Sequence, residues 1–383
     1  MRGGGVEDAL PRAAEIVADI RERGDVALLE WSEQLDGERP ESLRVSANAI
    51  AAAELDEAAL KAVRRLAAAV AEFHAPQRPR DTAVEAFRGV RAERRFLPLD
   101  SVGVYVPGGR APLASSLVMA VVPAKVAGVR RIAVATPRPA EAVLATAREL
   151  GVGEIYAVGG AQAIAALAYG TETVAPVDKI VGPGNPFVTA AKLLVSTRVG
   201  IDLPAGPSEV LVVADETADP AVCAADLLAQ AEHGPDSEAI LVTTSARLAE
   251  AVRDLVDERI GIELVATLEE ALARADEYAP EHLELLLADP EAAAALVRNA
   301  GSIFLGTTAV LGDYASGANH VLPTGGLARG AGGLGLEEFL KPVQYVRATR
   351  EGLEGVRELV SALATLEGLP LHAAAVESRF VAA

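Results

Sequence analysis

Four segments in the second half of the chain gather side chains that hold metal ions and move protons near neutral pH. They are Gln230-Ala231-Glu232-His233, Ala279-Pro280-Glu281-His282, the stretch from Asp313 to Asn319-His320, and Leu369-Pro370-Leu371-His372. Four of the five histidines fall in them. Imidazole and carboxylate groups both ligate zinc-like ions and act as general acids and bases. The concentration points to an enzyme whose site is assembled from distant parts of the chain.

Each segment carries its own geometry. Asp219-Pro220 starts a helix and Gly234-Pro235 stops it, which sets Gln230 and His233 three residues apart on one face at its last turn. That spacing suits two ligands of one ion, and it equally suits a polar helix end. Glu281 and His282 follow Pro280 and precede an expected strand. Neighbours on extended backbone point to opposite sides, so the pair suits a proton-transfer role from two sides of a substrate better than ligation of one ion. A solvent-exposed turn is the alternative. Asp313 and His320 flank a loop of small and polar residues, which favours function over scaffolding. Gly368 and Pro370 interrupt any helix between Glu367 and His372, and on local grounds His372 is a surface residue. His74 reads as structural and Cys223 as a small buried apolar residue.

The elements that position these groups follow from hydrophobic periodicity. Residues 6 to about 74 are helical, and 76–100 reads as a charged connector with at most a short strand. Strands are expected at 102–106, 131–135, 154–158 and 179–181, alternating with helices at 113–127, 140–150, 161–168 and 186–196. A second set of strands is expected at 209–214, 239–243, 263–266, 283–287 and 302–305. Such alternation implies parallel sheets with helices on their faces. The stretch 321–336 reads as a loop, and the last fifty or so residues as helical with little strand signal.

Gly330-Ala331-Gly332-Gly333-Leu334-Gly335 matches a dinucleotide fingerprint, but no strand precedes it, so the mechanism of that motif is missing. Better phosphate-site candidates close three of the expected strands: Pro107-Gly108-Gly109, Gly159-Gly160-Ala161-Gln162 and Gly182-Pro183-Gly184-Asn185-Pro186. Glycines there would let a ligand approach the backbone, and Asn185-Pro186 would open a helix toward the strand-end crevice.

Bulk composition narrows the classes. A chain of 383 residues with 51 % hydrophobic residues can bury two or three cores, and with 4 % aromatics these must be built from small side chains. A formal net charge of −19 speaks against a nucleic-acid partner and against an anionic membrane surface. One cysteine excludes an internal disulfide framework or a cysteine-rich zinc site. No signal-peptide core or membrane-length apolar run is present, so the expected location is cytoplasmic.

Seven motifs, in order along nearly the whole chain, strongly resemble histidinol dehydrogenases. They are Gly103-Val104-Tyr105-Val106-Pro107-Gly108-Gly109, Gly159-Gly160-Ala161-Gln162, Gly182-Pro183-Gly184-Asn185, Leu203-Pro204-Ala205-Gly206-Pro207-Ser208-Glu209, Gln230-Ala231-Glu232-His233-Gly234, Tyr278-Ala279-Pro280-Glu281-His282 and Gly312-Asp313-Tyr314-Ala315-Ser316-Gly317 with Asn319-His320. The resemblance implies a zinc- and NAD-dependent enzyme that oxidises L-histidinol to L-histidine through L-histidinal. It implies Gln230, His233, Asp313 and His372 as ligands of one zinc per subunit, and Glu281 and His282 as the catalytic pair. Substrate contacts would come from Ser208, Gln230, His233, His282, Asp313, His320, Glu367 and His372, and NAD contacts from Tyr105, Gln162 and Asn185. The implied fold is α/β: two Rossmann-like parallel-sheet domains with helices on both faces, plus a small helical C-terminal region, in an intertwined homodimer. The implied domains are 6–104 together with 210–334, then 105–209, then 335–383 reaching the partner subunit. The rival readings are a related dehydrogenase acting on another alcohol, a zinc hydrolase, and a non-catalytic binding protein.

Overall fold

The computed structural model describes residues 4–37, 39–108, 113–204 and 206–380. Gly109 and Ala205, each part of a motif above, lie outside them. The chain forms two compact units, 1–77 with 99–339, and 78–98 with 340–383.

The larger unit holds two five-stranded sheets, all of whose pairings are parallel. In the first, Ser101–Tyr105 is central. Arg131–Ala135 and then Glu154–Tyr156 add on one side, and Lys179–Val181 and then Gly200–Ile201 on the other. The second repeats the plan, with Glu209–Ala214 central, Glu238–Thr243 and Gly261–Leu264 on one side, and His282–Leu286 and Ser302–Leu305 on the other. Both are doubly wound, with helices on both faces, and each reverses direction beside its central strand. The central strands are buried along their whole length. In Glu209–Ala214, Val210 and Val212 enter one hydrophobic core while Leu211 and Val213 enter another on the opposite face. That two-sided burial is why these strands are legible as unbroken apolar runs.

The N-terminal helices Gly4–Arg23 and Asp25–Asp36 share a core with the first sheet, where Ile16, Ile20 and Leu28 meet Ile164, Leu167 and Val195. The 330–335 glycines follow a 3-10 turn, Leu327–Arg329, and not a strand, in keeping with the rejection of that fingerprint. Cys223 is buried in a core, and His74 is fully buried with its ring nitrogens on the carbonyls of Val70 and Leu334.

The smaller unit departs from the sequence reading. The expected connector is a hairpin of Thr82–Phe87 and Val90–Pro98, and Leu340–Ala348 pairs antiparallel with its second strand. Helices Arg350–Gly355, Arg357–Leu366 and Pro370–Glu377 follow, giving the helical C-terminus that was expected. The helical break between Leu366 and Pro370 falls at Gly368, whose φ is +68°.

Candidate active site

Several candidate site residues of the larger unit meet where opposite ends of its two sheets come together. The first sheet contributes the carboxyl end of Lys179–Val181, where the turn at 182–185 begins. The second contributes the amino ends of its strands, with Ser208 just before Glu209–Ala214 and Glu281 just before His282–Leu286. Only seven residues separate Ile201 from Glu209, so the chain passes directly from one sheet end to the other. A cavity of about 190 Å³ is lined by Ser116, Pro183, Ser208, His233, Glu281, His282, Asp313 and His320, among others. A second, of about 370 Å³, shares His282, His320 and Leu322 and extends toward Phe304.

Glu281 and His282 are brought together by a strained turn. Helix Leu268–Tyr278 ends at Ala279, a non-glycine residue in the left-handed region (φ 52°), and Pro280 then prevents helix continuation. Gly301 lies against this turn: a Cβ there would stand 2.6 Å from the Glu281 carbonyl oxygen. The expectation that the two side chains diverge is therefore corrected. The His282 Nδ1 lies 3.7 Å from the Glu281 Oε2, and both side chains line the smaller cavity.

Their protonation states follow from burial. The Glu281 Oε2 accepts from the Ser208 hydroxyl at 2.7 Å and from the Glu209 N–H at 2.9 Å. Burial outweighs both bonds and pushes the carboxyl up to about 8. Burial likewise holds the His282 imidazole down to about 4, against the nearby Asp313 carboxylate, which favours the charged ring. Neither His282 ring nitrogen has a hydrogen-bond partner. His282 is therefore a neutral imidazole facing the cavity.

The ligand candidates come from three places. Asp219 caps helix Pro220–Ala231 through Ala221 N–H at 2.8 Å. The helix stops two residues short of His233, whose Nδ1 lies 3.2 Å from the Gln230 carbonyl oxygen, so this ring folds back over the helix end instead of projecting from its last turn. The Gln230 side chain is buried and its Nε2 has no partner. Asp313 lies on a short helix, Val310–Tyr314, where a loop was expected, and its Oδ1 is 3.6 Å from His320 Nδ1. Among the described residues no three His, Cys, Asp or Glu side chains gather closely enough to hold a metal ion, so an ion here also needs the Gln230 amide or a donor from elsewhere. Glu367 and His372 belong to the smaller unit, where both are exposed.

The candidate cofactor residues stand at carboxyl ends of first-sheet strands. Tyr105 is buried and its hydroxyl, pushed up to about 12 by burial, accepts the Gly160 N–H at 3.1 Å. Gln162 is fully buried, with Nε2 3.4 Å from Asp36 Oδ2 and Oε1 unpartnered. Asn185 caps helix Pro186–Val195 through Val188 N–H, as its sequence position implied. The glycines have another reason than ligand approach: a Cβ on Gly108 or Gly159 would stand 2.3 or 2.6 Å from the Pro137 ring.

Sequence reasoning passed over Ser116, whose Oγ lies 3.3 Å from His320 Nε2 on the cavity wall. A pair of serines at the start of the mostly apolar helix Ala114–Ala127 was the available signal.

The sequence pattern of histidinol dehydrogenases matches residues 4–380. The chain belongs to the histidinol dehydrogenase family. It is 47 % identical to the histidinol dehydrogenase of Methanothermobacter thermautotrophicus over 98 % of this chain and 94 % of that one. It is 44 % identical to that of Geobacillus kaustophilus over 98 % and 95 %. The crystal structure of histidinol dehydrogenase from Elizabethkingia anophelis superposes with a TM-score of 0.89 at 37 % identity, covering 97 % of this chain and 92 % of that one. Membership makes the protein an oxidoreductase of the histidinol dehydrogenase type. No helix among the described residues is long and apolar enough to cross a membrane.

Proposed function

We propose that the protein oxidises L-histidinol to L-histidine through L-histidinal, with NAD and one zinc ion per subunit. The observation that carries this reading is a single cavity holding a neutral buried imidazole, His282, beside a buried carboxyl, Glu281, with Pro183 of the 182–185 turn on its wall.

The residues present fit the absent groups. Gln230, His233 and Asp313 offer amide, imidazole and carboxylate donors of the types that zinc takes, and the buried Gln230 amide, whose Nε2 has no partner, can equally be assigned with its oxygen in that place. The 182–185 turn opens helix Pro186–Val195, a setting that suits a phosphate. When bound, NAD supplies the hydride acceptor and zinc supplies a positive template for the substrate's imidazole and amino groups.

The chain's own groups supply the proton transfers. His282 accepts the hydroxyl proton as the alcohol becomes the aldehyde. Glu281, in its ionised form, takes a proton from the water that adds to the aldehyde, and loss of a second hydride leaves the carboxylate. Ser208 orients Glu281 for this by its hydrogen bond. A positioned base of this kind contributes about a hundredfold to ten-thousandfold. Holding the aldehyde between steps prevents its escape.

His372 from a second copy of the chain completes the zinc set in this reading, and Glu367 the substrate pocket. Their exposure supports it, as do Leu366 and Leu371, each 81 % exposed beside them. Leucines so bare fit a segment covered by another chain.

A hydrolytic reading draws on the Ser116–His320–Asp313 line, but 3.6 Å between His320 and Asp313 is too long for the hydrogen bond that orients such a base. One assay separates the readings. Zinc-loaded protein is incubated with L-histidinol and NAD, and NADH absorbance and product are followed. Two NADH per histidine are expected. NADH from other alcohols alone, or ester hydrolysis without NAD, would overturn the assignment.

A further inference from the structure

Among the described residues of the larger unit that the proposed chemistry does not use is a fully buried ion pair between Lys192 and Asp202, with side chains 2 % and 1 % exposed. Replacing such a pair with apolar residues is often neutral or stabilising, so its presence calls for a reason other than stability. Its partners supply one. Lys192 Nζ donates to the Gly182 carbonyl at 2.9 Å and to the Leu203 carbonyl at 3.3 Å. Asp202 Oδ2 accepts the Gly182 N–H at 2.6 Å. Both backbone groups of Gly182 are therefore held by the pair. Gly182 itself has φ +118°, and a Cβ there would stand 2.1 Å from the Tyr105 carbonyl oxygen.

The two residues also join the two halves of the site. Lys192 lies on the helix that Asn185 caps. Asp202 opens the segment that leaves the first sheet and reaches Ser208, the residue bonded to Glu281. The pair thus sits between the 182–185 turn, with Pro183 on the cavity wall, and the strand end that holds the catalytic carboxyl.

We propose that Lys192 and Asp202 are positioning residues that hold the 182–185 turn in the conformation that receives the dinucleotide, and that fix where the 202–208 segment departs toward Glu281. This rests on the dinucleotide reading above. The pair touches neither substrate nor cofactor and acts through the Gly182 backbone.

The test compares the wild type with Lys192→Met/Asp202→Leu, in which both charges are removed together, and with Asp202→Asn. The double variant should melt within a few degrees of the wild type, because no buried charge is left alone. Its KM for NAD should rise tenfold or more, with KM for L-histidinol and zinc content unchanged. A purely structural pair would move neither constant selectively. A folded double variant with the wild-type KM for NAD would overturn the proposal. Hydrogen exchange on the unmodified zinc-loaded protein decides the matter even if both variants fail to fold. Saturating NAD should slow exchange in 180–192 and 199–204. Protection elsewhere that bypasses both segments would overturn the role of the pair. No protection anywhere, and no NADH from L-histidinol, would overturn the dinucleotide reading itself.

Discussion

At the scale of residues, burial sets the chemistry more than charge pairing does. Glu281 and Glu284 are both pushed up to about 8 by burial, and Glu284 faces the further carboxylate of Asp226. The folded chain therefore keeps two protons that the unfolded chain releases near the ordinary value of 4.5. A carboxyl raised in this way stabilises fully at low pH, and the contribution fades as pH rises toward the folded value. His282, held down to about 4, opposes this below its ordinary value of 6.5, so the melting temperature of the metal-free protein should fall between about pH 6.5 and pH 8.5, and Glu284→Gln should flatten that slope. Scanning calorimetry across the range checks it, and an unchanged slope in the variant would contradict it. Glu281 and His282, which follow Pro280, were legible as polar candidates, but their convergence was not. It depends on the left-handed Ala279, a conformation that an alanine does not announce.

At the scale of elements, legibility tracked two-sided burial. Strands such as Glu209–Ala214 were found within a residue or two because every position is apolar or buried. The hairpin strand Thr82–Phe87 is exposed throughout, and its partner carries Arg91, Glu93, Arg94 and Arg95, so no apolar run marked either. Leu340–Ala348 was hidden for the same reason. The helix bearing Gln230 was anticipated from its cap, and the cap makes a prediction. Asp219→Ala removes the bond to Ala221 and should cost about 1 kcal/mol of stability, read as a lower urea midpoint at unchanged slope. A midpoint equal to wild type would mean that the helix start is held by packing alone.

At the scale of the whole molecule, the site draws on opposite ends of two similar sheets. The usual rule places ligands beyond the carboxyl ends of strands, and the first sheet obeys it. The second presents Ser208, Glu281 and His282 at its amino ends, an exception to that rule. If His372 reaches the site of a second copy, inactive His372→Ala and His282→Asn proteins should complement each other when unfolded and refolded together. Equal mixing would give one intact site in half of the dimers, about a quarter of wild-type activity. No recovery would argue that each chain completes its own site. The central claim is that one cavity performs both oxidations with two separate bases. Product analysis of Glu281→Gln with L-histidinol and NAD tests it most directly. The account predicts L-histidinal with one NADH per substrate consumed and little L-histidine, while His282→Asn slows NADH formation from the alcohol. Full conversion to L-histidine by Glu281→Gln at the wild-type rate would contradict it.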